Sequence, residues 1–292
     1  MKKKIYFFVL VLMMLLIPMA VVQGQGEQPP TPPPGGASVD PNPVPLTPEE
    51  EKALASKLEQ LEKIRSLKAL GVSPAEIRER LHSLPDVTPS YPQNMLPDAA
   101  LMPHNTLLSY DDVGYCVMSL WREPEEETNW CGPGSGMAVL SNWITVPPSG
   151  YDAESYMEYL AGRMMSGGGT NINTWRYVVN DVIDQTWYFV GNASSLSSYE
   201  EYLKSDIYYS GRPMNNLVDT WRLLGWAEYS CNHYVAAYAY DIPSNYLYYG
   251  DSAPDSANGS LTPNPYGFHN TQLDDFYEDM DNYNSGYHYI VW

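Results

Sequence analysis

The sequence predicts an α+β fold in which helices precede an antiparallel sheet. Two observations carry that prediction. From residue 47 to residue 207, most apolar runs keep helical spacing and are closed by Gly or Pro. From Met214 onward the runs become short, Tyr- and Val-rich and alternating, most clearly over residues 234–240.

The elements follow in order. Lys2, Lys3 and Lys4 precede an apolar run over residues 5–22, and Val22-Gln23-Gly24 supplies small residues around a cut after Gly24. Residues 1–24 therefore read as a signal peptide, with an uncleaved anchor as the alternative. Either places the rest of the chain outside the cytoplasm, secreted or held at the cell surface. Residues 25–46 are a Pro-rich linker of polyproline type. Residues 47–84 form a helical hairpin. Thr47 caps a first helix with Glu49, Glu50 and Glu51 in its opening turn, Gly71 ends it, and Ser73-Pro74-Ala75-Glu76 starts the second. This hairpin is structural or a pro-segment laid over the next domain. Residues 85–106 read as a Pro-rich strap.

Residues 107–292 form the main domain. A strand is expected over 113–121, an acidic loop over 123–128, and a helix from Cys131 that buries the face of Met137, Leu140, Trp143 and Ile144. Helices follow over 151–165, 175–182 and 199–207. Strands are expected over 214–218, 234–240 and 246–249, then a short acidic helix over 273–280 and a closing strand over 287–292.

The charge bounds the partners. The chain carries a formal −19 at pH 7. Residues 47–84 are balanced, with seven acids and seven bases, whereas residues 85–292 hold 26 acids against six bases. Such a surface repels nucleic acid and anionic membrane. The expected partner is a peptide or protein substrate, with the hairpin as an intramolecular one. No Cys/His metal spacing, phosphate loop or nucleotide fingerprint is visible, so neither cofactor nor metal is expected.

Three cysteines are present, Cys116, Cys131 and Cys231. In an oxidising compartment an odd count suggests one pair and one free thiol, so Cys116 and Cys231 are the candidate disulfide. Cys131 has a reason to stay free. It stands in Asn129-Trp130-Cys131-Gly132-Pro133-Gly134-Ser135, at the mouth of a helix. A thiol at the positive end of the helix dipole loses its proton more easily, and the thiolate is the nucleophile. The alternative is a small buried Cys that packs as a hydrophobe. Trp130 and Gly132 beside it either line a substrate cleft or are core.

A nucleophilic thiol needs a base and a group to orient that base. Of five histidines, His233 opens the strand His233-Tyr234-Val235-Ala236-Ala237-Tyr238-Ala239-Tyr240. The next strand runs Tyr246-Leu247-Tyr248-Tyr249-Gly250 into Asp251, an acid one hairpin away from His233. This order over residues 110–292 resembles the papain-like cysteine peptidases of family thirty-nine, the bacteriocin-leader-processing peptidases. The resemblance implies a papain-like fold and a Cys-His-Asp triad of Cys131, His233 and Asp251 acting through an acyl-thioester. It also implies an oxyanion-stabilising Gln about six residues before the Cys. Here that region holds Glu125 and Glu126 instead, where an ionised carboxylate repels an oxyanion and only a protonated one donates. The expected function is thus a secreted, free-standing cysteine peptidase. The alternatives are a weak or inactive papain-like module that binds peptide or cell-wall material, and a thiol acyltransferase.

Overall fold

The computed structural model describes residues 37–38, 45–81, 111–118, 120, 129–166, 168–220, 223, 226, 231–252, 267–280 and 287–292. The chain divides into Met1–Thr31 and Pro32–Trp292, and every described residue lies in the second unit. The segments expected as signal peptide and strap, and most of the expected linker, lie outside the described residues.

In chain order the elements are β1 (Ala37–Ser38), α1 (Pro48–Ala69), α2 (Pro74–Leu81), β2 (Val113–Tyr115), α3 (Cys131–Leu140), α4 (Ala153–Met164), β3 (Met165–Ser166), β4 (Gly169–Asn171) and α5 (Ile172–Val182). They continue with β5 (Val190–Asn192), α6 (Leu196–Leu203), β6 (Met214–Asp219), β7 (Asn232–Asp241), β8 (Tyr246–Asp251), β9 (Gly267–Gln272), α7 (Leu273–Asp279) and β10 (Tyr289–Val291). The protein is mixed α+β, as the sequence predicts.

The larger sheet runs β5-β10-β6-β7-β8-β9 and is antiparallel throughout. β7 is its spine. On one side β6 pairs with residues 232–237, and β2 takes the far half through Val113, Gly114 and Tyr115. On the other side β8 pairs along its length, with a register shift between Ala237 and Ala239. The strand expected over 113–121 is thus only three residues long, because β6 already occupies the rest of that edge. The smaller sheet, β1-β4-β3, is hydrogen-bonded separately from it.

α3 lies against β7 with α4 and α5 packed round it. The sequence predicts one buried face, but every residue from Gly132 to Leu140 is buried. The second face is made of small residues, and they let neighbours close in. A Cβ on Gly136 would meet Met164 Cε at 2.8 Å. A helix apolar all round is a core helix, and this one carries the candidate nucleophile at its first residue.

α1 and α2 form the expected hairpin. Thr47 caps α1 in a capping box with Glu50. Its inner face is partly charged. Lys57 is buried, pairs with buried Asp206 at 3.1 Å, and lies over the rings of Trp187 and Trp292 at 4.5 Å each. Asp206 is delivered by a π-helical turn, Lys204–Tyr209, that follows α6. Burial lowers the Lys57 ammonium to about 8 against the opposing pull of Asp206. Arg176–Glu50 at 2.7 Å, Arg65–Glu201 at 3.0 Å and Lys68–Asp111 at 2.8 Å complete the docking.

Candidate active site

Cys131 is the first residue of α3 and is half-buried. Trp130 before it supplies no side-chain cap, so the first-turn N–H groups keep the outward aim that favours an anion. Two glycines set how closely this mouth can be approached. A Cβ on Gly132 would meet Thr170 Oγ1 at 2.2 Å, and one on Gly134 would meet Ser252 Oγ at 2.2 Å. The helix start is therefore wedged between β4 and the residue after β8. Trp175 fastens it from behind, donating its indole N–H to Gly132 O at 3.0 Å and Ser135 Oγ at 3.1 Å. Asn129 Nδ2 donates to Gly168 O, tying the stretch before Cys131 to the turn before β4.

The base and its orienter come from the sheet. The β7–β8 register sets Gly250 opposite Ala236, which carries Asp251 toward the His233 end of β7. His233 Nε2 lies 2.8 Å from Asp251 Oδ1, with both side chains buried. Asp251 Oδ2 accepts the indole N–H of Trp226 at 2.9 Å, and the Trp226 ring lies 4.7 Å from the imidazole.

With Nε2 turned to Asp251, Nδ1 is the ring nitrogen left for a second partner, and Cys131 is near enough to act on the imidazole electrostatically. Burial alone pushes the imidazolium down. The Asp251 charge and hydrogen bond, with the contact to Cys131, outweigh it and hold His233 up at about 10. The ring is therefore protonated at neutral pH, and a positive charge beside a thiol is what activates it as a nucleophile.

The sequence-predicted residues Cys131, His233 and Asp251 thus meet at one place. Gly132 is buried against Thr170, and Trp130 is half-buried and packed on the main core. Glu125 and Glu126 lie outside the described residues. His269 packs its ring 5.5 Å from Tyr249, and His288 stacks on Tyr277 at 4.0 Å. Among the described residues no cluster of three or more His, Cys, Asp or Glu could hold a metal.

The expected disulfide is not formed: Cys116 and Cys231 are free thiols. Strand register is the reason. Cys116 follows β2 and its amide bonds Tyr238 O, deep in β7, whereas Cys231 stands just before β7 beside Thr220. Those two places on one strand are seven residues apart, about 23 Å at strand rise, and a disulfide needs Cα atoms within about 7 Å. Burial pushes Cys231 up to about 12 and Cys116 higher still, so both stay as thiols.

Trp226 is the residue that sequence reasoning missed. The available signal was a Trp seven residues before the candidate His, since a buried indole N–H seeks a partner. No family model matches the chain, and no match is found among curated proteins. Among the described residues no helix is long and apolar enough to cross a membrane.

Proposed function

We propose that the protein is a papain-like cysteine peptidase, similar to the bacteriocin-leader-processing peptidases, that hydrolyses peptide bonds through Cys131, His233 and Asp251. The observation that carries this reading is the buried 2.8 Å His233–Asp251 contact, with Cys131 at a helix mouth near enough to act on the same imidazole. The Cys131 proton resides on His233 before substrate binds, as a thiolate–imidazolium pair, and the thiolate attacks the substrate carbonyl carbon. The resulting oxyanion faces the first-turn N–H groups of α3, a helix end already suited to negative charge. His233 then returns the proton to the leaving amine as the C–N bond breaks, which leaves an acyl-thioester on Cys131. Water, deprotonated by His233, cleaves that ester and restores the thiol. Asp251 holds the ring in place and favours its charged form throughout.

The reading includes an extracytoplasmic site of action, supported by the basic start and apolar run of residues 2–24. The test is hydrolysis of a denatured protein substrate by the purified chain. Cleavage that disappears in Cys131→Ala and survives chelator supports the reading. Cleavage that survives Cys131→Ala overturns it.

A further inference from the structure

The segment that pairs beside this site is β1. The ion pairs of α1 fall on Asp111, Arg176, Glu201 and Asp206, none of them a residue of the candidate triad. The approach comes from upstream, at β1. Ala37 and Ser38 pair in parallel with Thr170 and Asn171 of β4. Thr170 is the residue against which Gly132, the neighbour of Cys131, is packed. Tyr234, next to His233, donates its hydroxyl to Thr170 O at 3.3 Å. Cα atoms of β1 also come within 8 Å of β7, the strand that carries His233.

We infer that β4 is the docking edge for an extended peptide in front of Cys131, and that its resident occupant is this chain's own segment at Ala37–Ser38, which blocks the site until displaced. The inference rests on the reading of Cys131 as nucleophile. An extended peptide added to an exposed strand gains main-chain hydrogen bonds irrespective of its side chains. Two residues gain little, since a backbone hydrogen bond contributes only about 0.5–1.5 kcal/mol net and parallel pairing is the weaker kind. What keeps so short a strand in place is its tether. Only nine residues of chain separate β1 from α1, whose Glu50 is pinned to Arg176, and Arg176 lies on α5, the helix that follows β4 without a break. The occupant is thus held close to its edge by covalent attachment rather than by its own contacts, which makes it resident yet displaceable by a longer peptide.

Ala37→Pro/Ser38→Pro in the full chain removes both N–H donors, and Ala37→Val/Ser38→Thr keeps them. Deuterium exchange at the amides of residues 169–171 should rise about tenfold or more in the proline variant and stay unchanged in the other. Labelling of Cys131 by a peptidyl epoxide, mapped by mass spectrometry, should rise at least about fivefold in the proline variant, with iodoacetamide labelling within about twofold. Unchanged exchange overturns the pairing. Raised exchange with unchanged epoxide labelling overturns the blocking role. If iodoacetamide finds Cys131 no more reactive than an ordinary thiol in every variant, the nucleophile and the blocking role fall together, while the exchange data still decide the pairing.

Discussion

Asp251 holds two partners at once: its Oδ1 lies 2.8 Å from His233 Nε2, and its Oδ2 accepts the Trp226 indole N–H at 2.9 Å. The carboxylate is buried, so each contact fixes its orientation as well as stabilising its charge. Removing the carboxylate leaves His233 without the group that sets its tautomer. Asp251→Ala should lower kcat/KM by about 10²–10⁴, the scale set by loss of the orienting acid in hydrolytic triads. Trp226→Phe keeps an aromatic ring but loses the hydrogen bond to the Asp251 carboxylate, so a loss of about 10- to 100-fold is expected. Steady-state peptidase kinetics on the two variants checks both, and equal loss in each would contradict the ranking.

The raised pKa of His233 fixes a pH window. Its folded value is about 10 against an ordinary 6.5. The pair therefore contributes stability that is fully present below pH 6.5 and is lost as pH rises through 10. Melting temperature should fall over that window in the wild type, and fall less in His233→Gln. Lys57 acts with the opposite sign. Its folded value is lowered to about 8, so its buried charge is costly at neutral pH and that cost is relieved as pH rises from 8 toward 10.5. Comparison with His233→Gln at each pH cancels the Lys57 contribution.

Much of the candidate site was legible because each of its three residues sits in a local pattern. A helix mouth, a strand start and a hairpin end can each be read from a short window, and their order does the rest. Trp226 was not legible, since its role arises from a contact with Asp251, 25 positions later at the end of β8. β1 and β4 are two and three residues long, too short to show any period. The expected disulfide fails because counting thiols ignores strand register, which places Cys116 beside Tyr238, deep in β7, and Cys231 before its first residue.

Gly132 and Gly134 should resist replacement although they lie in a helix. Gly→Ala in an exposed helix interior gains about 1 kcal/mol. Here each Cβ would lie 2.2 Å from a side-chain oxygen, of Thr170 or Ser252, and forced overpacking costs about 1–3 kcal/mol. Both Ala variants should be destabilised in urea unfolding, and Gly132→Ala should also lower activity by moving Cys131 away from β4. A stabilised Gly132→Ala would show that the close approach is not real.

Lys57→Ala should cost about 3–5 kcal/mol, because it leaves Asp206 buried without its cation. Replacing both partners, as Lys57→Met/Asp206→Leu, should recover most of that loss. Equilibrium urea denaturation measures it. Equal destabilisation of the single and double variants would contradict the account of how α1 is held.

Non-reducing peptide mapping should find no Cys116–Cys231 link. The same experiment should leave all three thiols alkylatable after unfolding without reductant, as their separate places in the fold require.

The most direct measurement is the rate of Cys131 alkylation by iodoacetamide at about pH 6, where a thiol of ordinary pKa near 8.5 is almost wholly protonated. The thiolate–imidazolium arrangement predicts that Cys131 reacts at least about tenfold faster than free cysteine there, and that His233→Ala removes the advantage. A Cys131 that reacts like free cysteine, with His233→Ala making no difference, would contradict the assignment of Cys131 as the nucleophile.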